Sequence, residues 1–271
     1  VWVSILAYIV LSIGQIAFAT IVHSSALQAN GFNNVTDIMG NIAILIGLRI
    51  ARIPADSDHV YGHWKIESIA SLISSFIMFF VGFEVLRETV MTLLSGKEKT
   101  IDPLGALVGL FSAFVMLGVY LYNRDLAKKT NSQALSAASK DNLSDAVTSI
   151  GTVVAILASS IGWEWLDTAM AIIICGFILK TAYDIFHESV FSLSDGFDEN
   201  LVKEYREAIC LAAKVKDDKL VRGRSCGSDI FLDVVVKMSP DLSVYESHEA
   251  TESIEKMLID GFGVYDVDVH V

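Results

Sequence analysis

The sequence predicts an α-helical membrane protein with six transmembrane helices, followed by a small α+β (αββαβ) cytoplasmic C-terminal domain. Three observations lead there. Apolar residues make up 53% of the 271, with mean hydropathy +0.52. That is more apolar side chain than a soluble chain of this size can hide, so the excess faces lipid. Six apolar stretches each hold about 20 residues or more, the length a helix needs to cross about 30 Å of hydrocarbon. The charge is also uneven: from Asp195 onward there are 17 acidic and 9 basic residues, so −8 of the net −12 falls in the last 77 residues.

The stretches run Val1–Ile21, Ala26–Ile50, Ile66–Leu94, Leu104–Tyr122, Ala134–Ile161 and Trp165–Ile185. The first and fourth carry no charge. The second, fifth and sixth carry a few, and charge inside lipid is costly enough to need a reason. Orientation follows from the loops. The loop after the second span has Arg49, Arg52 and Lys65, and that after the fourth has Arg124, Lys128, Lys129 and Lys140. The loops after the first and fifth have no Lys or Arg, and Lys97 and Lys99 after the third are offset by Glu98 and Asp102. The positive-inside rule places the even-numbered loops and the C-terminal domain in the cytoplasm. Trp163 and Trp165 fit as anchors at the outer interface, and Lys180 snorkels to the inner one. The chain opens on an apolar Val1, which points to residues preceding it, and its first run lacks the basic leader and cleavage site of a signal peptide.

These spans form a transmembrane domain over residues 1–194. Residues 195–271 form the second domain: a helix over Asn200–Ala213, strands over Lys219–Arg224 and Ile230–Met238, a helix over Val244–Ile259 and a last strand over Val264–Val271, with the helices on one face of a sheet. Its acidity excludes nucleic acid as a partner and suits a solvated surface. Cys175, Cys210 and Cys226 form no CxxC pair, so neither a disulfide framework nor a structural zinc cluster is indicated.

Two constellations carry chemistry. Asn33 and Asp37 lie in the second span, Asp141 and Asp145 in the fifth. Each pair is spaced i, i+4 and so presents two oxygen ligands on one helix face. Asp37 lies about 11 residues, or roughly 16 Å, inside the outer end of its helix, and Asp145 as far inside the inner end of its own. Both pairs therefore fall near the bilayer midplane, with Asn33 level with Asp145 and Asp37 level with Asp141. Three carboxylates cannot all stay charged at that depth without a cation, and a divalent metal held by them and an amide oxygen answers the difficulty. The second constellation is Asp56, His59 and His63 in the loop between spans two and three. Its composition is that of metal ligands, and it is not the HExxH of zinc proteases. By itself it suits ordinary loop histidines equally well.

The run His59-Val-Tyr-Gly-His-Trp-Lys-Ile-Glu67 resembles the H-x-[FY]-G-H-x-[KR]-x-E signature of the cation diffusion facilitator family, and the likeness covers essentially the whole chain. It implies metal–proton antiport by a homodimer using alternating access, with a transport site at Asn33, Asp37, Asp141 and Asp145. It also implies a cytoplasmic metallochaperone-like dimerisation domain, a loop site at Asp56, His59 and His63, and a charge pair of Lys65 with Asp195 that links the two domains. Zinc-transporting members usually place a His where Asp141 stands, so the Asn-Asp-Asp-Asp set is similar to the manganese-exporting branch. His248 and His270 match ligand positions of a binuclear site in the family's cytoplasmic domain. Lys219 and Val235 stand where further histidines belong, so an intact binuclear site is not expected.

The sequence therefore reads as a multi-pass cell-membrane exporter of a divalent cation, proton-coupled, with no resident cofactor and no enzymatic activity. Mn²⁺ is the expected cargo, with Zn²⁺, Fe²⁺ or Co²⁺ as alternatives. A cation channel would place rings of one charge along an oligomeric axis, whereas these charges sit on two helices of one protomer. A membrane-anchored metal sensor would have no need of intramembrane aspartates.

Overall fold

A computed structural model describes residues 1–22, 25–95, 103–160, 164–211, 215 and 217–271. Within those ranges some helical side chains, including those of residues 21–33 and 164–168, lie outside the description. The loop residues Lys97, Glu98, Lys99 and Asp102 and the expected anchor Trp163 fall outside it too. The chain divides into two compact units, Val1–Ser189 and Val190–Val271.

The first unit is built from long helices: α1 (Trp2–Val22), α2 (Ser25–Ala51), α3 (Ile66–Ser95), α4 (Pro103–Thr130), α5 (Gln133–Ser160) and α6 (Glu164–Leu193). Among the described residues, two stretches are long and apolar enough to cross a membrane, Ile66–Met91 at mean hydropathy 2.1 and Ala106–Thr130 at 1.7; Trp2–Phe18 is a shorter apolar one. Six such stretches were expected. Helices α2 and α5 carry Asn33, Asp37, Asp141 and Asp145, which lower their hydropathy.

The distribution of side chains tells more than the average. Large apolar groups point outward, among them Phe80 at 71% and Phe114 at 67% exposure, while Ser4, Asn41, Asn123 and Asn142 are fully buried. Apolar outside and polar inside is the arrangement that lipid imposes, since a polar side chain there must find its partner in another helix. Small residues let the helices come close. A Cβ on Gly47 of α2 would stand 2.2 Å from the Ala70 Cβ of α3, and one on Gly151 of α5 would stand 2.4 Å from Ile174 of α6.

The turn between α4 and α5 is short. Asn131 takes a left-handed φ of 50° and ends α4, a conformation asparagine adopts more readily than most residues. Ser132 then caps α5, its Oγ accepting from the Leu135 N–H at 3.2 Å. Glu67, at the start of α3, reaches across: its buried carboxylate accepts from the Ser132 hydroxyl and, at 3.1 Å, from the Ala134 N–H. A carboxylate there satisfies unpaired N–H groups and complements the helix dipole.

The second unit holds α7 (Glu199–Cys210), β1 (Asp217–Cys226), β2 (Asp229–Lys237), α8 (Val244–Phe262) and β3 (Asp266–His270), the αββαβ order read from the sequence. β1 and β2 form an antiparallel hairpin, and β3 joins β2 in parallel after the α8 crossover. Leu232, Val234 and Val236 alternate inward on β2 and meet Val267 and Val269 of β3, with Tyr205, Ile209, Ile254 and Leu258 from the helices closing the core. Ser243 and Glu246 form a capping box at the start of α8, and Gly263 (φ 69°) ends it.

Gly47→Ala should cost about 1–3 kcal/mol through overpacking against Ala70, seen as a lower thermal unfolding midpoint of the purified protein in detergent. An unchanged midpoint would mean that α2 and α3 do not approach this closely.

Candidate metal centre

The aspartates lie where α1, α2 and α5 meet. Asp37 is buried on α2; Asp141 and Asp145 are half-buried and one turn apart on α5. Between the latter two stands the fully buried Tyr8 of α1. Its hydroxyl donates to Asp145 and lies 3.4 Å from Asp141 Oδ2. Asn41, one turn after Asp37, donates through Nδ2 to the Asp37 carbonyl at 3.0 Å and to Asp141 Oδ2 at 3.4 Å. Its Oδ1 is buried with no hydrogen-bond partner among the described residues, an acceptor left free beside Asp141. Asn33 lies on α2 one turn before Asp37, its side chain outside the described residues.

Asp141 was expected level with Asp37; its Oδ2 accepts from Asn41, one turn beyond Asp37 on α2.

Behind Tyr8 runs a buried amide network. Asn142 of α5 donates to the Tyr8 oxygen at 3.0 Å. Asn123 of α4 donates to Asn142 Oδ1 at 2.8 Å and to Ser4 Oγ at 2.7 Å. On the opposite side of Asp145 lies a cavity of about 60 Å³ whose polar lining includes Gln15, Asn34, Ser112, Thr148 and Thr152. Gln15 donates to Ser112 Oγ at 2.8 Å and accepts from Asn34 at 2.9 Å. The sequence reading missed Tyr8, Asn41, Asn123 and Asn142. Asn41 was within its reach, since Asn33, Asp37 and Asn41 continue one i, i+4 row.

The loop constellation is drawn together more tightly. Asp56, His59 and His63 each offer a ligand atom, all within 4.8 Å of one another, the one such group of three among the described residues. Asp56 organises it. Its Oδ1 accepts from the N–H groups of Asp58 at 3.0 Å and His59 at 2.7 Å, and lies 3.2 Å from His59 Nδ1. Its Oδ2 is 3.6 Å from His63 Nε2. The His59 backbone N–H, helped by that of Asp58 and by the His59 ring, holds this carboxyl below the usual carboxylate range. Asp56 therefore keeps its charge well into mildly acidic solution. Gly62 (φ 82°) makes the turn and leaves room for the Trp64 ring, which a Cβ would meet at 2.6 Å.

Lys65 immediately precedes α3 in the first unit. Asp195 lies in the second unit, where its φ of 60° ends α6. His248 is exposed and lies 3.3 Å from Glu252. His270 is exposed on β3, with Val235 as its strand partner on β2.

Two family models match this arrangement. Residues 1–194 match the cation efflux transmembrane domain, and residues 197–271 match the cation efflux protein cytoplasmic domain. The chain belongs to the cation efflux family. It is thus a membrane transporter with a cytoplasmic C-terminal domain, as the signature from His59 to Glu67 implies. Among its relatives is manganese efflux system protein MneS of Bacillus subtilis, 45% identical over 269 residues, spanning 99% of this chain and 93% of that protein. Manganese efflux system protein MneP of the same organism is 29% identical over 279 residues, with the same coverage. Cation-efflux pump FieF of Shewanella oneidensis is 28% identical over 260 residues, spanning 91% of this chain and 84% of that protein.

Asp56→Asn should weaken Mn²⁺ or Zn²⁺ binding at the loop by about tenfold or more, because the carboxylate orients both imidazoles. Titration calorimetry on protein already carrying Asp37→Asn isolates this site. Unchanged binding would make the histidines ordinary loop residues.

Proposed function

We propose that this family member exports Mn²⁺ from the cytoplasm in exchange for protons, through a transport site made of Asn33, Asp37, Asp141 and Asp145. The observation that carries the reading is the joining of Asp141 and Asp145 on α5 by the Tyr8 hydroxyl, and of Asp141 to the amide of Asn41 on α2, one turn from the buried Asp37, a set without imidazole. Mn²⁺ stands low in the Irving–Williams order, so a site cannot select it by affinity alone. An all-oxygen set gives up the nitrogen ligand that favours Zn²⁺ and keeps the ligands Mn²⁺ accepts. The manganese-efflux names of MneS and MneP support the same cargo.

In this reading residues 1–194 are the transmembrane domain, with α1–α6 as six spans, and residues 195–271 form a cytoplasmic domain through which two copies pair. Lys65 and Asp195 join the two domains by charge. The loop residues Asp56, His59 and His63 hold a second ion on the cytoplasmic side. At the transport site, carboxylates in a low-dielectric setting hold either a cation or protons, so metal binding displaces protons and their return expels the metal. Exchange follows if the site faces one side of the membrane at a time.

Proteoliposomes provide the test. Mn²⁺ should drive proton movement that Asp37→Asn and Asp145→Asn each abolish. If both variants keep full flux, the transport site lies elsewhere. Asp141→His should raise Zn²⁺ transport relative to Mn²⁺; a wild type that already prefers Zn²⁺ would overturn the hard-ligand argument.

A further inference from the structure

We infer that Tyr8 is the inner gate of the aspartate site: its hydroxyl stands between Asp145 and Asp141, where a cation shared by them would have to sit, and closes the site toward the cytoplasm. The inference rests on the transport-site reading and on the orientation given by the loop charges, and it adds a residue that neither supplies.

Two independent features flank the aspartates. Toward one side opens the polar cavity of about 60 Å³, with Asp145 in its wall and Gln15, Asn34, Ser112, Thr148 and Thr152 around it. These residues lie on the outer halves of α1, α2, α4 and α5 in the predicted orientation, and the volume is enough for water. Toward the other side the described residues are closely packed. Tyr8, Asn142, Asn123 and Ser4 are fully buried and hydrogen-bonded to one another. Beyond them Val1, Ile5, Ile44, Ala127, Ala134, Leu135 and Ala138 pack into an apolar layer. Asp145 thus borders polar space on its outer side, and buried, hydrogen-bonded and apolar side chains on its inner side.

The chemistry of the Tyr8 hydroxyl fits a closure that metal must open. A phenol has one proton to donate and accepts readily. Here the proton goes to Asp145, and the oxygen accepts from Asn142. That fixes the ring against Leu11, Met116 and Ala146. A cation shared by Asp141 and Asp145 needs the lone pairs that Tyr8 holds, so loading requires the hydroxyl to leave. Asn142 and Asn123 act as positioning residues, since they orient Tyr8 and, among the described residues, bond to it, to each other and to Ser4 and not to the carboxylates. The gate is therefore shut while the hydroxyl is bonded to Asp145 and released when the carboxylates turn to metal.

The test is Tyr8→Phe, which keeps the ring and its packing and removes one oxygen. Mn²⁺ affinity of the full-length protein, measured by titration calorimetry in detergent, should tighten by about tenfold, because metal no longer displaces a charge-assisted hydrogen bond. Damage to the fold would weaken binding, so the sign separates gating from structural loss. Asn123→Ala should shift affinity the same way and less. In a background with Cys175, Cys210 and Cys226 replaced, Ala138→Cys should resist a membrane-impermeant maleimide applied from the cytoplasmic face without metal, and become reactive when Tyr8→Phe is added. Weaker Mn²⁺ binding in Tyr8→Phe, whether from a lost ligand or a damaged fold, would overturn the proposal. Unchanged affinity together with unchanged labelling would reduce it to a packing residue and overturn it equally. Failure of the transport-site reading looks different: Asp37→Asn would then leave Mn²⁺ affinity intact whatever Tyr8 does.

Discussion

Three carboxylates gathered among helices that face lipid need partners at all times, and most of the first unit is arranged around that need. Water is scarce at such depth, so each oxygen must be met by a hydrogen-bond donor, a proton or a cation. Tyr8 and Asn41 supply donors. They in turn need orienting, which draws Asn142, Asn123 and Ser4 into a buried network spanning α1, α4 and α5. A core of this kind resembles the polar interior of a soluble active site more than an apolar bundle, and it is affordable only because the apolar residues have moved to the outside.

How much of this was legible in the sequence depends on the kind of signal. Asp37, Asp141 and Asp145 stand out because a charge inside an apolar run is expensive and rare, and i, i+4 spacing alone puts Asp141 and Asp145 on one face of their helix. The αββαβ order was legible from alternation on β2 and from Ser243 and Glu246 heading an amphipathic helix. Tyr8 and Asn142 were not. An aromatic in an uncharged span looks like packing or an interface anchor, and a neutral amide costs too little in a hydropathy count to be noticed. Their role exists only through the partners that tertiary structure brings, 137 residues apart in the case of Tyr8 and Asp145.

The two candidate centres differ in what holds them. The loop group is assembled from residues within one short segment, and Asp56 orders it through backbone N–H groups of its immediate neighbours. Its geometry needs little from the rest of the fold. The aspartate site is assembled from three helices, so its shape changes whenever they move against one another. That is a disadvantage for a permanent cofactor and an advantage for a cargo that has to be taken up and let go.

Glu67 ties these two regions together. It closes the His59–Glu67 signature, yet its carboxylate serves as the starting block of α5, the helix that presents Asp141 and Asp145. The rotational phase of that helix is thus set by a residue belonging to α3. Lengthening the loop ahead of α3 would leave the fastening in place, whereas losing the carboxylate would free α5 to turn about its own axis and carry both aspartates away from Tyr8. A search for variants with altered ion preference would therefore return position 67 alongside the ligands, although no ion need ever come near it.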